Sequence, residues 1–184
     1  RPATPQALGP STYLAVSRLD EQQFYQMNLP GAEAGDDHWF LASYAAKFGR
    51  RIFTATHALD CPGVTAGAGR LRLRLRAYAT TRPSAHVRVA INGTQVGEFA
   101  WDGPTAFLAE AEIPAGLLRA SGNQVPVTPV GDVPAPFEMD YVDWIEIHYP
   151  RPFTAPHGAL QWTTATGQSG RIAVTALPAS PVIL

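Results

Sequence analysis

The sequence is short of cysteine, of lysine, of charge and of long apolar runs, and each shortage excludes something. A single cysteine, Cys61, in 184 residues excludes a disulfide framework and a thiolate zinc site, since both need several thiols. Charged residues make up 16% of the chain against 46% hydrophobic, a balance that excludes an intrinsically disordered chain. With 14 basic and 15 acidic residues the formal net charge is -1. No basic excess is left to neutralise a phosphate backbone, so nucleic acid is not an expected partner. No apolar run approaches the roughly 18 residues of a spanning helix, so no membrane span is expected. No signal-peptide pattern opens the sequence, and its start at Arg1 reads as that of an excised or trimmed segment. Lys47 is the one lysine. Biased base composition explains this as well as guanidinium geometry does, and no function is drawn from it.

Chain breakers, by contrast, are abundant: 16 glycines and 17 prolines leave little room for long helices. The length suits one domain, or one domain plus part of a second. In RLRLRLRAYA, residues 70–79, Leu71, Leu73, Leu75, Ala77 and Ala79 share one face while Arg70, Arg72, Arg74, Arg76 and Tyr78 share the other. A helix would scatter these leucines around its circumference; a half-buried strand turns them all inward. Val87, Val89 and Ile91 repeat the pattern, Asn92-Gly93 supplies the positive-φ pair of a tight hairpin, and residues 96–101 run back. Further strands are expected at 13–16, 52–57, 107–113, 124–130, 139–149, 160–164 and 171–176. Residues 39–48, preceded by Asp36 and Asp37 as caps, suit a short helix, and residues 113–118 a single turn. Boundaries are expected after the Pro-rich residues 1–10 and at Pro150-Arg151-Pro152, which should interrupt sheet pairing. Residues 1–150 then form an antiparallel sandwich, and residues 151–184, with a hairpin over 159–176, are a C-terminal extension either packed on the sandwich or starting a following domain.

Several groupings bear on chemistry. His57 and Cys61 lie four residues apart in THALDCPG, but nearness in sequence does not assemble a thiol–imidazole pair, and a lone cysteine usually behaves as a small buried hydrophobe. The five histidines, His38, His57, His86, His148 and His157, form no closely spaced ligand pair. Asp36 and Asp37 share a loop, and alternation from Tyr141 to Tyr149 places Asp143 in an otherwise apolar stripe. A carboxylate there needs an arginine, backbone donors or a metal. An arginine or backbone N–H groups are favoured, and structural calcium is the alternative. The Arg70/72/74/76 row reads as a solvated face pairing with acids on adjacent strands; Arg72 and Arg74 are its candidates for meeting an anionic glycan or a neighbouring domain. Among the four tryptophans, Trp39 and Trp101 are candidate sugar-stacking platforms, with Asp37 and Asp102 beside them to hold hydroxyls. Trp144 and Trp162 complete the set, Trp144 being assigned to core or inter-domain packing.

Three segments, HVRVAINGTQVGEFAWDG (86–103), IPAGLLRASGNQVPV (113–127) and MDYVDWIEIHYPRPFTA (139–155), resemble one known module. It is the non-catalytic β-sandwich that precedes the peptidase domain in bacterial gingipain-type cysteine peptidases, especially those similar to the type IX secretion sortase. DDHWF (36–40) and LPASPVIL (177–184) fit the same arrangement. More loosely, the segments resemble galactose-binding-like jelly rolls, in which Asn92-Gly93, Trp101-Asp102-Gly103, Leu117-Leu118 and Gly122-Asn123 would be fold-making residues. The resemblance implies an all-β, antiparallel jelly-roll sandwich without catalytic residues of its own, the peptidase domain lying downstream of Leu184. It implies an accessory module, extracellular or on the cell surface, whose partners are adjacent domains of the parent protein or a protein or glycan ligand. A carbohydrate-binding module and, more weakly, a small hydrolase using His57 and Cys61 are the competing readings.

Overall fold

The computed structural model describes residues 11–33, 35–48, 51–155, 160 and 172–176. Twelve strands carry the fold, and the described residues contain no helix. They are β1 (Thr12–Leu19), β2 (Phe24–Tyr25), β3 (Trp39–Phe40), β4 (Ala42–Phe48), β5 (Arg51–Phe53), β6 (Ala55–Leu59), β7 (Gly69–Ala77), β8 (Ala85–Ile91), β9 (Thr94–Trp101), β10 (Ala106–Ile113), β11 (Asn123–Pro129) and β12 (Glu138–Pro152). One sheet runs β10-β7-β12-β4-β5, with β1 also on β12; the second runs β6-β11-β8-β9; β2 and β3 form a small hairpin. Every pairing between named strands is antiparallel. This is the jelly-roll sandwich expected.

Alternation builds the core. Leu71, Leu73 and Leu75 of β7 and Val142, Ile145 and Ile147 of β12 face Val87, Val89, Ile91, Val125 and Val127 of the second sheet, all fully buried in one cluster. Each such side chain contributes about 1.5–3 kcal/mol by leaving water. Leu117 and Leu118 pack against one end of this cluster, the plugging position expected of them. Asn92 (φ 50°) and Gly93 (φ 86°) make the β8–β9 turn, as the sequence requires. A second cluster, Leu29, Phe40 and Tyr141 with Phe24 and Tyr78, seats the β2–β3 hairpin on the outer face of the first sheet. There Phe40 stacks on Tyr141 at 4.7 Å between centroids.

The structure corrects three expectations. Residues 39–48 are strands β3 and β4 rather than a helix, because β12 offers an edge: Leu41 N–H donates to Val142 O at 2.8 Å, and residues 42–46 pair with residues 138–142. Asp36 and Asp37 accordingly cap turns, accepting from Glu33 N–H (3.1 Å) and Trp39 N–H (3.0 Å). Pro150-Arg151-Pro152 does not interrupt pairing, since β12 runs unbroken to Pro152 beside β1. Pro150 O accepts Thr65 N–H at 3.0 Å on the side away from β1, where β7 has ended. The missing proline N–H therefore points where no ladder partner stands. Finally, Asp143 does not sit in the apolar stripe. The register shifts between Val142 and Trp144, and this bulge takes up Asp143 while keeping Val142, Ile145, Ile147 and Tyr149 inward.

The Pro-rich residues 1–10, His157, Trp162, residues 177–184 and most of the hairpin expected at 159–176 lie outside the described residues. Within 172–176, Thr175 makes a single parallel bridge to Thr154.

Candidate functional site

Register on the first sheet places side chains in rows across its outer face. One row reads Arg18, Glu146, Arg72, Glu110, each directly opposite the next on β1, β12, β7 and β10. Its charges alternate and pair throughout: Arg18 Nη1 with Glu146 Oε1, Arg72 Nη1 with Glu146 Oε2 (3.1 Å), and Arg72 Nε with Glu110 Oε1 (2.7 Å). His148 Nε2 adds a third contact on Glu146 at 3.1 Å. Burial pushes the Glu146 carboxyl up, but hydrogen bonds from His148 and Arg18 outweigh that and hold it below the usual carboxylate range. One row along, Trp144 lies under two guanidinium groups, Arg18 at 4.5 Å and Arg72 at 5.8 Å from its ring centroid. Arg74 meets Asp143 at 3.2 Å and Arg76 meets Asp36 at 3.3 Å. The face is self-neutralised, as the solvated-ladder reading expected. Exposed Leu14, Val16 and Leu108 flank it.

Because these pairs are partly in water, each contributes little. Arg74→Ala, at a side chain 52% exposed, should move stability by less than about 1 kcal/mol. Glu146→Gln, which weakens its contacts with Arg18, Arg72 and His148 at once, should lower the urea midpoint further. A larger loss at Arg74 than at Glu146 would contradict the ladder.

Beside this face stands the hairpin. Tyr25 (51% exposed) and Trp39 (40%) stand 5.0 Å apart with their planes inclined at 58°, and Tyr25 also stacks on His38. Since Gln26 O can only accept, the His38 ring nitrogen Nδ1 donates to it at 2.7 Å, which fixes the ring. Met27 extends the apolar surface and is 73% exposed. A cleft of about 270 Å³ between hairpin and ladder is lined by Arg18, Asp37, Arg74, Asp143 and Trp144, among others.

The structure thus brings Asp37 and Arg74 into one cleft, with Arg72 on the adjoining row and Trp39 on the hairpin above. Trp101 and Asp102 are elsewhere. Trp101 is 7% exposed, its ring parallel to Phe107 at 4.9 Å, so both partners fill the space between the sheets and the indole offers no open face. The Gly turn behind it marked the end of a strand, not exposure. Asp102 is exposed in that turn, whose Gly103 N–H is held by Ser84 Oγ at 2.7 Å. Sequence alone does not single out Tyr25, Met27 or Arg18, and of the two places expected for Trp144 the core is excluded, since its ring lies on the outer face under arginines. Cys61 is buried and its thiol is pushed up to about 11, by burial first and then by Asp60. That is the opposite of what a nucleophile requires. His57 is lowered by burial.

No family model and no curated protein matches the sequence. Solved structures do share the fold. The chain is similar to a segment of PorU from Porphyromonas gingivalis. The dimeric latent form of PorU aligns with a TM-score of 0.55 at 13% identity, over 83% of this chain and 14% of that one. The likeness to PorU agrees with the gingipain-type module that the sequence resembles. The CBM36-1 domain of a xylanase from the hindgut metagenome of Trinervitermes trinervoides aligns at 0.38, with 17% identity over 73% of this chain and 95% of that one. A CBM36 in complex with calcium and xylotriose aligns at 0.34, with 18% identity over 59% and 91%. Among the described residues here, no group of three or more His, Cys, Asp or Glu gathers to hold an ion. Asp143 and Asp36 are engaged by arginines instead. No described helix is long and apolar enough to cross a membrane.

Proposed function

We propose that this chain is a non-catalytic, extracytoplasmic accessory module of a larger gingipain-like protein, and that it docks a neighbouring domain of the same chain through the outer face of its first sheet. One observation carries the reading: the paired row over Trp144, with Leu14, Val16 and Leu108 exposed around it. Tryptophan and arginine in a neutralised patch with an apolar flank have the composition of an interface centre. The neighbour is chosen because the aligned segment of PorU is a small share of a much longer chain. Hydroxyl-radical footprinting of the parent protein and of the isolated module tests this. Leu14, Val16 and Leu108 should be protected in the parent and reactive in the module. Val16→Asp should restore reactivity at Leu14 in the parent. Equal labelling of both proteins would sink the docking reading.

The exposed Tyr25–Trp39 pair beside Asp37 favours a second reading, a carbohydrate-binding surface on which the rings cover the apolar face of a sugar. Calorimetric titration against a broad glycan panel should then find a ligand whose affinity falls about tenfold or more in Trp39→Ala, a loss of about 1.4 kcal/mol. Silence across the panel would count heavily against it. Trp101→Ala tests folding and not this surface.

A further inference from the structure

At the end of the sandwich that carries β4, two carboxyl groups are completely shut off from solvent. Glu138 and Asp140 lie two residues apart on the inward side of β12, and both are 0% exposed. Asp140 stands opposite Tyr44 on β4 and Ala77 on β7, each also buried. Glu138 stands opposite Ala46 and reaches across to the second sheet, accepting His86 N–H through Oε1 at 3.0 Å. Neither oxygen of Asp140 receives a hydrogen bond, and the Tyr44 hydroxyl beside it makes none. No Lys, Arg or His among the described residues forms an ion pair with Asp140. An ionised Asp140 would be a buried anion facing a second carboxyl group and a tyrosine hydroxyl, an arrangement that costs far more than neutralising it.

We propose that Asp140 keeps its proton in the folded protein and donates it to Glu138, so that a shared proton, and not a cation, closes this end of the sandwich. A calcium ion would ask for six to eight oxygens, whereas the buried side-chain oxygens here, among the described residues, are those of Asp140, Glu138 and Tyr44. The groups that face Asp140 are Glu138 from its own strand, the Tyr44 hydroxyl from β4 and the Tyr78 backbone beyond β7; the facing second sheet contributes the His86 N–H on Glu138. Burial first, and then the charge of Glu138, raise Asp140 from the ordinary 3.8 to about 9. The sign follows from linkage. Between those two values the folded chain holds a proton that the unfolded chain has released, so stability is fullest below 3.8 and is lost as pH rises toward about 9. The next residue, Tyr141, carries the β2–β3 hairpin on its ring. Ionising Asp140 therefore loosens the sheet just under the aromatic surface, and alkaline pH acts on that surface through the fold.

The test is a carbon-13 titration of the Asp140 side-chain carboxyl in the intact 184-residue protein, with melting curves of wild type and Asp140→Asn between about pH 6 and 9. The Asp140 carbon should show no transition between about pH 3 and 5, where an ordinary aspartate titrates. The melting temperature of wild type should fall across the alkaline window. Asp140→Asn, which keeps the shape and the donor, should lose at least half of that fall and melt above wild type at the alkaline end. A transition near the ordinary value would overturn the proposal. So would a calcium-induced, chelator-reversed rise in wild-type melting temperature that vanishes in Asp140→Asn, because a cation would then occupy the place given to the proton.

Discussion

Asn123→Ala should lower the unfolding free energy by about 3–5 kcal/mol, a large share of what a domain of this size possesses. Asn123 is completely buried and all of its amide is in use. Nδ2 donates to Leu59 O (3.0 Å) and Arg119 O (2.7 Å), while Oδ1 accepts from Arg119 N–H (2.8 Å) and Asn92 Nδ2 (3.0 Å). Asn92 in turn donates to Leu117 O at 2.9 Å and accepts Gln124 N–H at 3.0 Å. Two asparagines thus tie the β8–β9 turn, the 117–119 loop and the start of β11 to the end of β6. Alanine removes the partner of the buried Leu59 carbonyl and of the part-buried Arg119 N–H and carbonyl, and a group left unpaired away from water costs more than the mean value of a hydrogen bond. Urea denaturation with an unchanged m-value would read this as a pure shift in midpoint. A loss below about 1 kcal/mol would mean that water replaces the amide, and the clamp would not be the closed structure described.

Leu73→Ala should cost about 2–5 kcal/mol. Leu73 lies at the middle of β7, opposite Ala109 on one side and Ile145 on the other, and is fully buried between the sheets. Truncation removes its transfer free energy and leaves a cavity that strands hydrogen-bonded on both sides cannot easily collapse. Leu108→Ala is the control. It is a leucine on the neighbouring strand, but it points outward and is 45% exposed, so the same truncation should cost well under about 1 kcal/mol. Equal losses at the two positions would contradict the assignment of inner and outer faces.

Much of this was legible from sequence, for a definite reason. Alternation over RLRLRLRA already separates the inner leucines from the outer arginines, because a strand's side-chain period leaves no freedom once one face is buried. Asn92-Gly93 and Gly122 announce turns through their backbone preferences alone. What could not be read depends on register between distant segments. The bulge at Asp143 changes which residues share a face, yet an inserted residue leaves no local sign. Residues 39–48 carry no pattern that excludes a helix; the free edge of β12, about a hundred residues onward, decides. That Arg72 meets Glu110 and Glu146 follows from alternation only as a class of event, and pairing names the partners. The turn after Trp101 says where its strand ends and nothing about exposure, and its ring faces Phe107. The hairpin surface of Tyr25 and Trp39 exists only because Phe24 and Phe40 sit on Tyr141, a contact between three separate stretches of chain.

The long strand β12 has a kinetic consequence. One of its edges is divided between β4 and β1, and the other holds β7, yet it follows all of them in the chain. The first sheet therefore has no centre until residues 138–152 are available, and among the described residues β1 pairs with no other strand. Loop closures of this span are slow. A chain made N-terminus first can pair β4 with β5, β7 with β10 and β8 with β9 early, but β1, β4 and β7 stay unjoined until residues 138–152 arrive. The first sheet then closes around the last of its strands to be made, so the order of synthesis itself delays the joining of that sheet.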